Sequence, residues 1–365
     1  MSARTLLSRL TAVIVLLTLV GSGANGQGFA DLGTKADGFT VPKPGAALVF
    51  PADHGPHPDY RIEWWYLTAN LKGEDGKEYG AQWTLFRSAL APGRKVGWSS
   101  PQIWMGHAAI TTADRQFVAE RLSRDGIDQS GVTSEPFSAW IDDWRMQLRG
   151  LPGAAEANAN INLSVMWVRA SGKDFTYDLS LDAVGPVVAQ GDNGYSVKSP
   201  TGQASYYYSQ PFYAVTGSIK LPSGEVKVIG KAWLDHEWSS QPLAADQTGW
   251  DWFSLHLDTG EKLMGFKLRD SGVGFTSGTW IAADGSATPL EPGELQATPT
   301  NSSIVGGKSV PTQWHLEIPK RGSNVTTTPL NAQAWMTTRF EYWEGPINIK
   351  GSHNGIGYLE MTGYK

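Results

Sequence analysis

Apolar and polar residues alternate along most of the chain after residue 60. The alternation is clear in the runs 62–71, 79–87, 160–168, 175–181, 225–233 and 250–257. Side chains of a β-strand point in turn to opposite faces, so this period of two predicts strands with one buried face. Turn residues such as Gly76, Gly172 and Gly260 separate the runs. The pattern predicts an almost all-β chain of antiparallel hairpins.

The same order of features occurs twice. Glu63-Trp64-Trp65-Tyr66 leads through a Gly turn to a strand ending at Arg87, and Asp251-Trp252-Phe253-Ser254 leads likewise to Arg269. The ends also correspond, with 232–236 matching 357–361 and Met361 standing where the first copy has His236. Each copy has enough strands for a closed barrel of about eight, which removes exposed sheet edges. We therefore predict two related barrels at 55–240 and 245–365, with 129–160 as an extra or looped portion of the first.

The first 26 residues predict a secretory signal peptide, and 27–54 an N-terminal extension. Arg4 and Arg9 precede an apolar run at 10–20, and small and polar residues follow. This run is shorter than the roughly 20 residues that cross a bilayer. We expect an exported protein, periplasmic or extracellular, that is not an integral membrane protein after signal removal.

Composition narrows the functional classes. The 365 residues include 42 Gly and 16 Trp but no Cys, which excludes disulfides, thiolate metal sites and a Cys nucleophile. The net charge of −5 gives no electrostatic support for binding nucleic acid. No G-x-S-x-G, P-loop or Rossmann fingerprint occurs, and we expect no cofactor.

Several motifs resemble the AttH and carotenoid 1,2-hydratase (hydroxyneurosporene synthase) family. They are His57-Pro58-Asp59-Tyr60-Arg61-Ile62-Glu63-Trp64-Trp65-Tyr66, the run 79–87, Gly106-His107-Ala108-Ala109, the run 232–240 around Asp235-His236-Glu237-Trp238, Tyr342-Trp343-Glu344-Gly345 and the run 357–364. The resemblance covers nearly everything after residue 50. It implies tandem lipocalin-like domains, in agreement with the repeat. It also implies that relatives of this chain hydrate acyclic carotenoids, act on phytoalexins or resemble pericyclases.

Four residues are the catalytic candidates. Asp235 and His236 lie in the densest cluster, where alternation puts His236 and Trp238 on one face and Asp235 and Glu237 on the other. A titratable group beside an aromatic wall could protonate an alkene and stabilise the resulting cation. Glu63 and Asp251 open corresponding strands, either as acids of raised pKa or as structural partners of Arg87 and Arg269.

The candidate substrate-binding residues are mainly aromatic: Trp238, Trp65, Trp252, His107 and Tyr208. His107 could line the same pocket as His236, or it could be a hydrogen-bonded residue of the core. Tyr206-Tyr207-Tyr208 precedes the strand at Phe212 and could form a pocket rim. His54 and His57 stand in an H-x-x-H arrangement, but the surrounding prolines form a rigid loop, and we predict no metal site.

Three functions remain open. The resemblance implies that the hydratases carry a Tyr and an Asp on a following strand, whereas 263–268 contains neither. This departure favours an exported protein that binds, and could transform, a hydrophobic isoprenoid or lipid-like small molecule in an aromatic pocket. The alternatives are a carotenoid hydratase-type hydro-lyase, and an accessory protein for a membrane-associated partner, which would have no enclosed cavity.

Overall fold

The computed structural model describes residues 36–149, 163–241, 243–244 and 246–364. The predicted signal peptide, the first part of the predicted extension and the Gly/Ala/Asn stretch at 150–160 lie outside the described residues. Within them, short 3-10 helices occur at Ala52–His54, Gly97–Ser99 and Pro319–Arg321. Strands form the rest of the regular structure, which confirms the predicted all-β class.

The first sheet contains 13 strands. Their bounds are β1 Ile62–Gly73, β2 Glu78–Ala89, β3 Gln102–Thr111, β4 Gln116–Arg124, β5 Ser130–Ser134, β6 Phe137–Ile141, β7 Trp144–Leu148, β8 Val165–Ser171, β9 Thr176–Ala183, β10 Val188–Ala189, β11 Tyr195–Val197, β12 Ala204–Leu221 and β13 Gly224–Ser239. The order is β4-β3-β2-β1-β13-β12-β9-β8-β7-β6-β5, and β10 and β11 pair with β12. This sheet curls into a near-barrel, the first barrel, with more strands than expected because β5 to β7 add to it.

The second sheet contains ten strands. Their bounds are β14 Gly249–Leu257, β15 Lys262–Arg269, β16 Phe275–Ile281, β17 Ala287–Leu290, β18 Gln296–Val305, β19 Lys308–Ile318, β20 Ser323–Pro329, β21 Trp335–Met336, β22 Tyr342–Gly351 and β23 Gly355–Met361. The order is β17-β16-β15-β14-β23-β22-β20-β19-β18, and β21 pairs with β22. This second barrel completes the predicted tandem lipocalin-like architecture.

The two barrels pack against each other through the outer faces of their central strands. Every residue of β14 is buried, although its sequence alternates, because one face lines the second barrel and the other meets the first. An apolar cluster spans the contact and includes Tyr66, Tyr207 and Trp233 of the first barrel with Trp252 and Phe266 of the second. The barrels therefore share a core in addition to their own interiors.

Strand pairing corrects one predicted equivalence. Glu63 lies opposite Trp238 in the first barrel, and Asp251 lies opposite Met361 in the second. The counterpart of Trp238 is thus Met361, and the counterpart of His236 is Leu359. The predicted match of His236 with Met361 was wrong by two residues, a shift that alternation cannot detect because it preserves the side-chain face. The second barrel still has no His there.

The contact between the barrels leaves no space for a side chain at Gly80 in β2. A Cβ there would lie 2.7 Å from Pro346 Cδ and 2.7 Å from Tyr358 Oη of the second barrel. We predict that Gly80→Val lowers the free energy of unfolding by about 1–3 kcal/mol through overpacking. Urea denaturation measures the change. Gly272→Ala, where the nearest atom would lie 3.4 Å away, is the control, and equal effects of both substitutions would contradict this packing.

Candidate functional site

A cavity lies between the two barrels, and we call it the interbarrel cavity. Its volume is about 100 Å3, smaller than the apolar cavity of ~150 Å3 that binds benzene in another protein. Its apolar wall comes from both barrels and includes Trp64, Tyr66, Phe86, Trp250, Trp252 and Phe266. The carboxyl groups of Asp235, Glu237 and Glu360 also line it. The cavity thus combines an aromatic wall with acidic groups.

Asp235 is a carboxyl group of this cavity that three side chains hold in place by hydrogen bonds. The Tyr207 hydroxyl donates to its Oδ2 at 2.7 Å, and Trp233 Nε1 donates to its Oδ1 at 2.6 Å. The Ser209 hydroxyl also donates to Oδ1. Burial outweighs these three donors and raises the pKa of Asp235 to about 7. At neutral pH this carboxyl group is both a usable proton donor and a usable acceptor.

Glu360 faces the same cavity from the second barrel. Trp250 Nε1 donates to its Oε1 at 2.8 Å. Burial raises the pKa of Glu360 to about 7, and the charges of Asp235 and Glu237 add to the effect. Asp235 and Glu360 thus both have a pKa near 7, so at neutral pH one can serve as the acid while the other is an ionised base.

The third carboxyl group of the cavity, Glu237, is neutralised by a cation. Lys198 Nζ lies 3.0 Å from Glu237 Oε1, and its ammonium group stands 4.4 Å from the ring centre of Tyr207 and 4.9 Å from that of Phe266. The Ser205 hydroxyl donates to the same carboxylate. Glu237 is therefore part of a fixed ion pair at the cavity wall.

A second polar cluster lies inside one end of the first barrel and is centred on Glu63. His57 Nδ1 lies 2.7 Å and His236 Nε2 lies 2.8 Å from Glu63 Oε1. Arg87 Nε and the His57 backbone N–H donate to Oε2 at 2.8 and 2.9 Å. We call these four residues the Glu63 network. Every lone pair of the carboxylate faces a donor, so Glu63 is held as an anion.

The protonation states of the Glu63 network follow from its charges. Burial opposes ionisation of Glu63, but Arg87 and His57 hold its pKa well below the usual range. Burial also opposes the charge on His57, but Glu63 and Asp53 raise the pKa of His57 to about 9. Burial lowers the pKa of His236. His236 is therefore neutral, donates from Nε2 to Glu63, and accepts at Nδ1 from the Tyr208 hydroxyl at 3.1 Å.

Aromatic rings enclose this network. Trp238 stacks on His57 with 3.9 Å between ring centres, and Trp65 stacks on His236 at 4.5 Å. The Tyr208 hydroxyl is 2.7 Å from His54 Nδ1. The interior beyond is filled by large buried side chains, among them Trp83, Trp104, Trp144, Tyr177 and Tyr213. Trp65, Trp238 and Tyr208 thus pack in the first barrel and do not line the interbarrel cavity.

Three residues of the Glu63 network are a possible metal-ligand set. Ligand atoms of His57, Glu63 and His236 lie within 4.8 Å of one another. Arg87 already pairs with Glu63, and the positive charges of Arg87 and His57 balance the negative charges of Glu63 and Asp53. A divalent cation would add two positive charges to a balanced site, so the arrangement fits an ion-pair network better than a metal site. His54 and His57, the predicted H-x-x-H pair, have different partners.

Asp251 occupies the position of Glu63 in the second barrel. It is buried and accepts hydrogen bonds from Arg269 and, at 3.0 Å, from the Tyr364 hydroxyl. Burial raises the pKa of Asp251, and Arg269 opposes the shift. Both acids therefore contact an arginine, Glu63 with Arg87 and Asp251 with Arg269, as the structural alternative expected.

The structure separates the predicted catalytic cluster. Asp235 faces the interbarrel cavity, His236 and Trp238 face the interior of the first barrel, and Asp251 faces the interior of the second. Alternation correctly put Asp235 and His236 on opposite faces, and the four residues do not share one cavity. Of the five predicted binding residues, Trp252 alone lines the cavity among the described residues.

One alternative and one local prediction were wrong. His107 does not share a pocket with His236 and is instead a buried, hydrogen-bonded residue, as the other alternative expected; it points from β3 to the second barrel and lies 3.0 Å from the Tyr342 hydroxyl. Tyr206, Tyr207 and Tyr208 lie within β12 and not before a strand. Their alternation sends Tyr207 to the interbarrel contact and Tyr208 into the first barrel.

Sequence reasoning missed Glu360, Glu344 and Lys198. Glu360 occurs in a quoted motif, but its role depends on β23 facing the other barrel. Lys198 lies between β11 and β12, and no sequence motif pointed to it. The repeat offered one clue, because Glu360 is the counterpart of Glu237 in the strand pairing.

A wider recess opens at the end of the first barrel. Its volume is about 390 Å3, and its walls include the charged residues Arg94, Lys95, Asp125 and Asp128. Mixed charges and exposed loops make it unsuitable for enclosing an apolar molecule. The smaller interbarrel cavity is the better candidate site.

Comparison with models of protein families shows the family of this chain. The model of the AttH-like family matches residues 41–364. The chain belongs to the AttH-like family. A crystal structure of an AttH protein from Nitrosomonas europaea is similar, with 30% identity and a TM-score of 0.78, over 89% of this chain and 99% of that one. No curated protein gives a significant match.

Two further solved structures share the fold of this AttH-like protein. Kievitone hydratase from Nectria haematococca has 15% identity and a TM-score of 0.66, over 90% of this chain and 96% of that one. CghA has 13% identity and a TM-score of 0.53, over 92% and 97%. In the part of the AttH-like chain that the structure describes, none of the helices has the length and apolar character of a membrane span.

The Glu63 network predicts a pH dependence of stability. The folded-state pKa of His57, about 9, exceeds the ordinary 6.5, so its stabilisation is complete below pH 6.5 and is lost as pH rises from 6.5 to 9. We expect His57→Gln to cost most below pH 6.5, with the difference from wild type falling by up to about 3 kcal/mol by pH 9. Urea denaturation across this range measures the difference. A difference independent of pH would contradict the assignment.

Proposed function

We propose that this AttH-like protein binds the end of an apolar isoprenoid or lipid-like molecule in the interbarrel cavity and protonates it from Asp235. The observation that carries the proposal is a buried carboxyl group whose pKa is raised to about 7 beside an aromatic wall. A cavity of about 100 Å3 suits one ring or a branched chain end. Hydrophobic binding and proton transfer thus use the same site.

The arrangement supports acid-catalysed addition of water to a carbon–carbon double bond. The Asp235 carboxyl proton adds to one alkene carbon, and the positive charge develops on the other. The faces of Trp64, Trp250 and Trp252 stabilise this charge through cation–π attraction, worth about 2 kcal/mol where water is excluded. Water then attacks the cation, and ionised Glu360 accepts its proton. The substrate gains one water, and the proton moves in effect from Asp235 to Glu360.

The fold neighbours agree with this reaction class without assigning it. One structure of the same fold is named a hydratase, of kievitone. At 15% sequence identity this likeness shows a shared fold and nothing about the reaction. The proposal for this chain therefore rests on the chain's own cavity. A carotenoid hydratase-type reaction is the specific form of the proposal.

Carriage of the ligand without turnover is the second candidate. It is favoured by the separation of His236 and Trp238 from the cavity, which removes the predicted His from the reacting group. The cavity itself argues against an accessory protein without a ligand site. Export to the periplasm or outside the cell remains a proposal from the first 26 residues.

Deuterium incorporation tests the proposed reaction. The full chain is incubated in D2O with an acyclic isoprenoid such as lycopene or neurosporene, and the extracts are examined by mass spectrometry. We expect one solvent deuteron on carbon, together with a product that has gained one water. Asp235→Asn should reduce both by about 100-fold or more, because the proton donor is lost.

Asp251→Asn is the matched control, since Asp251 is equally buried but points into the second barrel. It should retain deuterium incorporation. A ligand that binds without any deuterium uptake would establish carriage instead. Uptake that persists in Asp235→Asn would overturn the assignment of the acid.

A further inference from the structure

Glu344 is a buried carboxyl group that the reaction above does not use. It lies directly opposite Glu360 on the paired strands β22 and β23. The Tyr66 hydroxyl donates to Glu344 Oε1 at 2.6 Å, while Oε2 has no hydrogen-bond partner and is shielded from solvent. Burial, together with the charge of Glu360, raises the pKa of Glu344 well above its ordinary value. Glu344 is therefore a protonated acid next to the acid of the cavity.

A series of polar groups leads from Glu344 to the surface. Tyr342 is two residues away on the same face of β22, and its hydroxyl hydrogen-bonds Glu344. The same hydroxyl lies 3.0 Å from His107 Nδ1 of the first barrel. His107 Nε2 lies 3.2 Å from Glu120 Oε1, whose side chain is 24% exposed. Glu344, Tyr342 and His107 are themselves buried.

We propose that Glu344, Tyr342, His107 and Glu120 form a proton path that connects the acid groups of the interbarrel cavity with solvent. The inference rests on the proposed function, since that function uses Glu360, the carboxyl group directly opposite Glu344. During turnover Glu360 gains a proton and Asp235 loses one, while the bound molecule separates these carboxyl groups from bulk solvent. A path behind the cavity lets Glu360 exchange its proton without release of the ligand.

The proton movement balances at every atom of the path. Tyr342 donates to ionised Glu344. When Glu344 is protonated, the Tyr342 hydroxyl turns to His107 Nδ1 and its oxygen accepts from Glu344, while His107 Nε2 donates to Glu120. Burial lowers the pKa of His107, so the ring carries a single proton at neutral pH. Outward transfer shifts each proton by one bond and leaves Glu344 ionised and Glu120 protonated. Glu120 then releases its proton to solvent, and inward transfer of a solvent proton along the same groups restores the starting arrangement.

Glu344, Tyr342 and His107 act through Glu360, so they are positioning residues and not catalytic ones. A purely structural role predicts only a stability change on substitution. The proposed path predicts in addition that the rate of proton exchange at Glu344 depends on Tyr342 and His107. It also predicts that Tyr66, which donates to Glu344 but leads to no further group of the path, has no such effect.

Time-resolved infrared spectroscopy tests the path on the full chain without any ligand. The C=O band of protonated Glu344 is assigned by its absence in Glu344→Gln, and its shift is followed after mixing into D2O. We expect Tyr342→Phe and His107→Phe to slow the shift by at least about tenfold, because exchange would then require local opening of the contact. Tyr66→Phe is the matched control and should exchange at the wild-type rate.

Three results would overturn the proposal. They are absence of a protonated Glu344 band, equal exchange rates in all variants, and equal slowing in Tyr66→Phe and Tyr342→Phe. The outcome is independent of the isoprenoid experiment, because it reports the protein alone. A working path without any ligand protonation would contradict only the proposed function, and protonation with a ligand but no path would contradict only this inference.

Discussion

The packing of the two barrels through their outer sheet faces determines the rest of this structure. An antiparallel barrel normally buries one face of each strand and leaves the other to water. Here β1 and β14 are buried on nearly their whole length, and β13 is buried over its second half, because each barrel covers the other. Polar groups on these outer faces lose water and must find partners within the contact. Asp235 and Glu360 find such partners, yet burial still raises the pKa of both carboxyl groups to about 7.

The two barrels share a fold but differ in the charged groups that surround their corresponding acids. Both place an acid at the start of an inner strand and neutralise it with an arginine, as in the pairs Glu63–Arg87 and Asp251–Arg269. The first barrel adds His57 and His236 around its acid, whereas Leu359 takes the place of His236 in the second. The inner acids therefore stabilise barrel ends. The acids that face outward from the neighbouring strands β13 and β23 line the cavity.

Much of the fold followed from the sequence, but the site did not. Alternation located β1, β2, β9, β13 and β14, and the repeat of Glu63 and Asp251 indicated two barrels. Alternation also separated Asp235 from His236. It could not reveal that the face of Asp235 is covered, because a covered outer face has the same period as a solvated one. His107 was misplaced for this reason, and the pairing of Glu344 with Glu360 depends on strand register, which the sequence does not state.

The central claim is that an apolar ligand binds between the barrels and not inside one. Crystals soaked with bromobenzene, a probe about the size of the cavity, would locate the site through the anomalous signal of bromine. The account predicts a bromine position beside Trp250, Trp252 and Leu268, within the interbarrel cavity. Bromine bound in the interior of either barrel, with none between them, would contradict it.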